Sequence, residues 1–253
     1  MVKGLDLFRS HFKDYSDQYV LIGGTACDLV MAEASLPFRA TKDLDIVLII
    51  EMLQPSFAKR FWRFVSDGRY ASQETSDGKR QFYRFRKPEN KDYPDTIELF
   101  SRLPDALDAP AGNRLTKISM SDATSSISAI LLEDNYYHFL RSGKREVQGL
   151  PVVGSEHLIP LKAKAWLDLT NRKLAGEPVD SDSIKKHKND VFRLLQLVSP
   201  AYLPVPDVLR RDMALFVTSV GSEGIDLKNL GTKNLSQEEA LNFLLQIYVN
   251  SEG

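Results

Sequence analysis

Apolar positions recur along this chain with two different periods, and the change falls at residues 149–154. Before it, short apolar runs bounded by turn residues alternate with helical spacing. Residues 19–22 predict a short strand and residues 25–34 the helix after it. Residues 43–50 predict a second strand, in which Ile46, Val47, Leu48, Ile49 and Ile50 leave no polar face, as in a strand buried on both sides. Residues 55–66 carry Phe57, Phe61, Trp62 and Val65 at helical spacing. Residues 69–75 and 81–86 flank Ser76-Asp77-Gly78-Lys79, a turn signal that predicts a hairpin. Residues 96–100 and 125–132 predict two further strands.

Beyond residue 154 the pattern is helical, over 157–172, 183–198, 207–220 and 236–249. Ser236 and Glu239 form a capping box for the last of these helices. Pro200, Pro204 and Pro206 separate the middle ones, and 221–235 is a polar loop. The expected architecture is therefore an α/β (α+β) domain with a mixed sheet, residues 1–150, followed by a helical domain, residues 151–253.

Composition changes this picture little. With 253 residues, 43% hydrophobic and 26% charged, the chain has the make-up of an ordinary globular protein. A net charge of -1 without long charged blocks gives no sign of a general nucleic-acid binder. No apolar run approaches the roughly 20 residues of a membrane helix, and the first residues lack the apolar core of a signal peptide. The single cysteine, Cys27, excludes an internal disulfide and reads as a packing residue. A cytoplasmic protein with no membrane partner is expected.

The candidate chemistry sits in two short segments. Leu21-Ile22-Gly23-Gly24-Thr25 turns a strand into a helix, and glycine amides at a helix start can hold phosphate. Thr25 can donate its hydroxyl to a phosphate or cap the helix. Asp43 and Asp45, two apart on a strand, project from one face, where their mutual repulsion calls for a cation. Mg2+ suits two such carboxylates, since it favours oxygen ligands and keeps phosphates in its shell. An isolated Asp-x-Asp is also explained by a turn cap and a solvated acid; the upstream Gly-Gly turn favours the metal reading. A two-metal site needs a third acid. Glu98, flanked by apolar residues on a short strand, is the candidate, and Asp95 beside Pro94 is its competitor. His11, His138 and His157 show no zinc-ligand spacing. Lys164 and Asp168 fit an i, i+4 surface pair.

Gly-Gly-Thr-Ala followed by Arg39-x-Thr41-x-Asp43-Leu44-Asp45-Ile46 resembles the nucleotidyltransferase superfamily, and within it the AbiEii-like enzymes of abortive-infection and type IV toxin–antitoxin systems. Lys162, in Leu161-Lys162-Ala163-Lys164-Ala165-Trp166-Leu167-Asp168, resembles that group's lysine segment. Asp190, in Lys186-His187-Lys188-Asn189-Asp190-Val191, resembles its aspartate segment. The sequence departs from the family pattern at Gly24, where many members have serine, and at His187, where many relatives are acidic.

The resemblance implies Mg2+-dependent transfer of a nucleotide from a nucleoside triphosphate to an acceptor hydroxyl. Gly23, Gly24, Thr25, Arg39 and Lys162 are then the nucleotide-binding residues. Asp43, Asp45 and Glu98 are the metal ligands, and Lys162 and Asp190 complete the catalytic set, the aspartate orienting the lysine or meeting base or acceptor. It also implies tRNA or protein as acceptor and a cognate antitoxin as partner. A small molecule such as an antibiotic is the alternative acceptor, and a nucleotide-binding module without turnover is the alternative function.

Overall fold

The computed structural model describes residues 2–76, 81–103, 105–107, 116–118, 130–131, 133–232 and 235–250. The chain forms two compact units, Met1–Met120 with Lys144–Gly154, and Ser121–Gly143 with Ser155–Gly253. The division therefore differs from a single cut near residue 150. The segment carrying a helix over Asp134–Ser142 joins the second unit, and the hairpin after it returns to the first.

The first unit is built on a mixed sheet. Its elements are α1 (Leu5–Phe12), β1 (Tyr19–Leu21), α2 (Gly23–Glu33), β2 (Asp43–Leu48), α3 (Pro55–Gly68), β3 (Tyr70–Ser76), β4 (Phe82–Pro88), β5 (Thr96–Phe100), β6 (Thr116–Ile118), β7 (Lys144–Val147) and β8 (Leu150–Val153). Among the described residues the strand order is β6-β3-β4-β5-β2-β1-β8-β7. β2 runs parallel to β5 and antiparallel to β1. Its central place explains its composition, because Leu44, Ile46, Val47 and Leu48 are all buried from both faces. β3 and β4 pair antiparallel as the hairpin signal predicts, while Asp77, Gly78 and Lys79 lie outside the described residues.

An aromatic layer joins the helices to this sheet. Phe8 and Phe12 of α1 meet Phe57, Phe61 and Phe64 of α3, with ring centroids 5.5–6.2 Å apart, and Tyr19 of β1 closes the cluster. Each fully buried ring of this kind contributes roughly 1.5–3 kcal/mol. α1 was not expected from periodicity, since its apolar side is short: Leu5, Phe8 and Phe12.

The second unit holds α4 (Asp134–Ser142), α5 (Ser155–Leu174), α6 (Ser181–Leu194), α7 (Asp207–Gly221) and α8 (Gln237–Tyr248). Trp166 of α5 packs edge-on against Phe216 of α7 at 5.3 Å, and Phe192 of α6 approaches the same ring at 6.3 Å. Ser236 and Glu239 form the expected capping box. Of the expected strand over 125–132, only Ile130 and Leu131 are described, and both are helical; the other residues lie outside the described set. Among the described residues no helix is long and apolar enough to cross a membrane.

Candidate active site

The site begins where β1 ends. Gly23 opens α2 at φ +64°, a left-handed conformation that glycine adopts without steric cost. A Cβ on Gly23 would stand 1.8 Å from Asp45 Oδ2, so the missing side chain is what lets the Asp45 carboxylate sit against the helix start. Gly24 plays the same part for the segment before β2: a Cβ there would meet Thr41 Oγ1 at 2.4 Å, with an Arg39 guanidinium nitrogen 3.7 Å away. Ile22 occupies the cap position of α2 and no side chain caps the helix, which leaves its first-turn amides to other acceptors.

Thr25 serves neither as a cap nor as a solvent-facing donor. Fully buried, it donates its hydroxyl to the Asp43 carbonyl oxygen at 2.6 Å. The Ile22 amide donates to the Asp45 carbonyl at 3.0 Å. Two hydrogen bonds thus pin the backbone of the carboxylate strand to the start of α2. Asp43 is exposed and Asp45 is buried, so the pair presents one carboxylate to solvent and one to the protein.

Strand register places Glu98, and not Asp95, beside the two aspartates. Asp45 lies opposite Glu98 and Asp43 opposite Thr96 across the parallel β2–β5 pair. Asp95 precedes that strand and its carboxylate pairs with Lys3 at 3.2 Å near the surface. Glu98 therefore shares a face with both aspartates, yet its Oε1 accepts from Arg84 Nε at 2.8 Å. Burial pushes the Glu98 carboxyl above its ordinary range and Asp43 reinforces this, while Arg84 pulls it back.

The arrangement continues across the sheet in two parallel rows. One row runs Asp45, Glu98, Arg84, Glu74, and the other Asp43, Thr96, Arg86, Ser72. Glu74 accepts from Arg86 at 3.0 Å and from Ser72 at 2.8 Å. Burial raises the Glu74 carboxyl, but the Ser72 and Arg86 hydrogen bonds and the Arg84 charge outweigh it and hold it below its usual value. Sequence reasoning missed these arginines. Their signal was present, because Arg84 and Arg86 stand two apart in a strand and so share a face.

Among the described residues no three or more His, Cys, Asp or Glu side chains form a metal cage. Asp43 and Asp45 are the carboxylates at the strand mouth that could hold a cation. That set suits Mg2+, which binds through one or two carboxylates and takes its remaining ligands from water and phosphate.

Lys162 and Asp190 lie in the helical unit and meet there. Lys162 Nζ donates to Asp190 Oδ2 at 3.1 Å, and Arg193 donates to Oδ1 at 3.3 Å. Lys162 is 5% and Asp190 0% exposed, so this is a buried, doubly compensated carboxylate. Lys164 does not form the expected pair with Asp168. It reaches Asp212 of α7 at 3.1 Å, beside the Tyr136 hydroxyl that donates to the same carboxylate.

No protein-family model matches the chain, and no curated protein matches its sequence. Among solved structures it is similar to an antigenic nucleotidyltransferase-like protein from Paracoccidioides brasiliensis, at 13% identity and a TM-score of 0.44, over 94% of this chain and 98% of that one.

Proposed function

We propose that this chain is a nucleotidyltransferase that moves a nucleotide from a nucleoside triphosphate to an acceptor hydroxyl with release of pyrophosphate. One observation carries the reading: two same-face carboxylates are fastened, by Thr25 and by the absent side chain of Gly23, to an uncapped helix start. Such a start attracts phosphate through its amides and dipole, and Arg39 beside Gly24 adds a full positive charge. The carboxylates would repel a bare triphosphate. They match it once Mg2+ joins them.

In this reading Asp43 and Asp45 would hold Mg2+, which would supply positive charge against the phosphates. The first-turn amides of α2 bind the phosphates, and Thr25 positions Asp43 through its carbonyl rather than touching the nucleotide. Glu98 anchors Arg84 behind the aspartates and keeps the arginine's charge within the sheet. The resemblance to AbiEii-like enzymes extends the proposal to a toxin that modifies tRNA or protein and is held in check by an antitoxin.

A second reading has its own observation. With Glu98 engaged by Arg84, the third acid of a two-metal site is already occupied, which favours a module that binds triphosphate without turnover. The discriminating experiment is label transfer from each α-labelled nucleoside triphosphate, with Mg2+, to tRNA and to total protein. Label on one acceptor class, absent with Asp43→Asn/Asp45→Asn, supports transfer. Mg2+-dependent thermal stabilisation by triphosphate without label transfer supports the binding module. Neither effect overturns both.

A further inference from the structure

Given the Mg2+ site read above at Asp43 and Asp45, we propose that Arg84 is a positioning residue that withholds Glu98 from the metal. The strand mouth then takes one divalent cation rather than two. This role rests on the Mg2+ reading of the two aspartates and can fail without it. Register gives Glu98 two neighbours, Asp45 on one side and Arg84 on the other. Paired strands lie roughly 4.8 Å apart, so its carboxylate can turn to a metal shared with Asp45 or to the guanidinium. The structure places it on the guanidinium, where Glu98 Oε1 accepts from Arg84 Nε at 2.8 Å.

The arginine is itself fixed from its far side. Arg84 Nη1 lies 3.9 Å from Glu74 Oε2. Glu74 Oε1 in turn accepts from Ser72 at 2.8 Å and from Arg86 at 3.0 Å. The Arg84, Glu98 and Glu74 side chains are 10, 14 and 11% exposed, so solvent screens their pairing little. Turning Glu98 to a metal would break a charge-assisted bond inside the protein, where a guanidinium is costly to leave without its carboxylate.

Charge points the same way. The two rows hold four carboxylates, Asp43, Asp45, Glu98 and Glu74, and two guanidiniums, Arg84 and Arg86. Two negative charges remain, which one divalent cation balances. Arg84 thus brings to Glu98, as part of the fold, the positive charge that a second ion would supply. An ordinary cross-strand ion pair would have no bearing on how many metals bind.

Titration of the full chain with Mn2+, which takes the same oxygen ligands, counts bound ions from the loss of the free-ion paramagnetic resonance signal. One ion per chain is expected, lost with Asp43→Asn/Asp45→Asn. Glu98→Gln is nearly isosteric and still accepts from Arg84. It is expected to shift the affinity by less than about threefold, whereas Asp45→Asn lowers it by about tenfold or more. Arg84→Gln is expected to admit a second ion, and Arg84→Gln/Glu98→Gln to return to one. Arg84→Lys, which keeps the charge, stays at one. Circular dichroism melts establish that each variant folds, and the wild-type and Glu98→Gln titrations decide the matter even where Arg84→Gln does not fold. Two ions in the wild type, or a loss in Glu98→Gln as large as that in Asp45→Asn, overturns the role of Arg84 and leaves the nucleotidyltransferase reading standing. A folded Arg84→Gln that binds one ion does the same. Absence of any ion that depends on Asp43 and Asp45 overturns the metal site itself, and the role of Arg84 with it.

Discussion

Two carboxylate settings, one in each unit, differ in how they are enclosed. In the helical unit Asp190 is wholly enclosed and answered twice, by Lys162 and Arg193. In the sheet unit Asp43 and Asp45 stand together at a strand start, next to a row in which Arg84 pairs with Glu98 and Glu74. A compensated carboxylate is complete without a ligand. Asp43 and Asp45, one exposed and one buried, lie side by side at a helix start that no side chain caps. The contrast, one carboxylate enclosed by cations and two set at a strand mouth, can be broken by experiment.

The largest effect is expected from Asp190→Ala. Removing one partner strands Lys162 in the interior, a loss of about 3–5 kcal/mol, read as a lower midpoint of urea unfolding. Asp43→Ala, at an exposed position already burdened by repulsion, is expected to leave stability within about 0.5 kcal/mol and to abolish Mg2+-dependent stabilisation by triphosphate. Equal destabilisation by the two substitutions would erase the distinction between the two carboxylate settings.

Gly23→Ala comes next. It forces a Cβ into Asp45 Oδ2 and a side chain into the left-handed region, a loss of about 1–3 kcal/mol. Triphosphate binding should fall along with the melting temperature. Thr25→Val is milder, because it removes one neutral hydrogen bond to the Asp43 carbonyl, about 0.5–1.5 kcal/mol. It sharpens the comparison if binding falls more than stability does, as expected of a residue that positions the metal pair.

The smallest effect is in pH dependence. Burial beside Phe139 lowers the His157 pKa below its ordinary 6.5, with Glu156 opposing. The neutral ring is favoured in the fold, so its contribution is fully present above pH 6.5 and is lost as pH falls through the lowered value. Glu98 has the opposite sign. Its raised pKa makes its contribution fully present below 4.5 and lost as pH rises through the folded value. Melts of wild type and His157→Gln between pH 5 and 7.5 should converge at the acid end.

Much of the candidate site was legible because it is local. Gly23, Gly24 and Thr25 are consecutive, and the two-residue spacing of Asp43 and Asp45 places them on one face whatever surrounds the strand. The helices 55–66, 157–172 and 207–220 were readable for the same reason, since their apolar stripes repeat within a few turns. α1 and the β7–β8 hairpin were not, because their apolar runs are too short to state a period and are fixed by the aromatic layer and by the parallel pairing of β8 with β1.

What the amino-acid order determined alone was the identity of the carboxylate strand, the glycine turn before it and the change from mixed to helical pattern. Tertiary structure decided the rest. Only register could put Glu98 rather than Asp95 opposite Asp45, and only the neighbouring strand could supply the Arg84 that occupies it. Only folding could turn the Thr25 hydroxyl onto the Asp43 carbonyl, or give Lys164 to Asp212 instead of Asp168. The physical reason is one of range. Periodicity and turn chemistry act through neighbouring residues, whereas ion pairs and strand register are set between segments far apart in sequence.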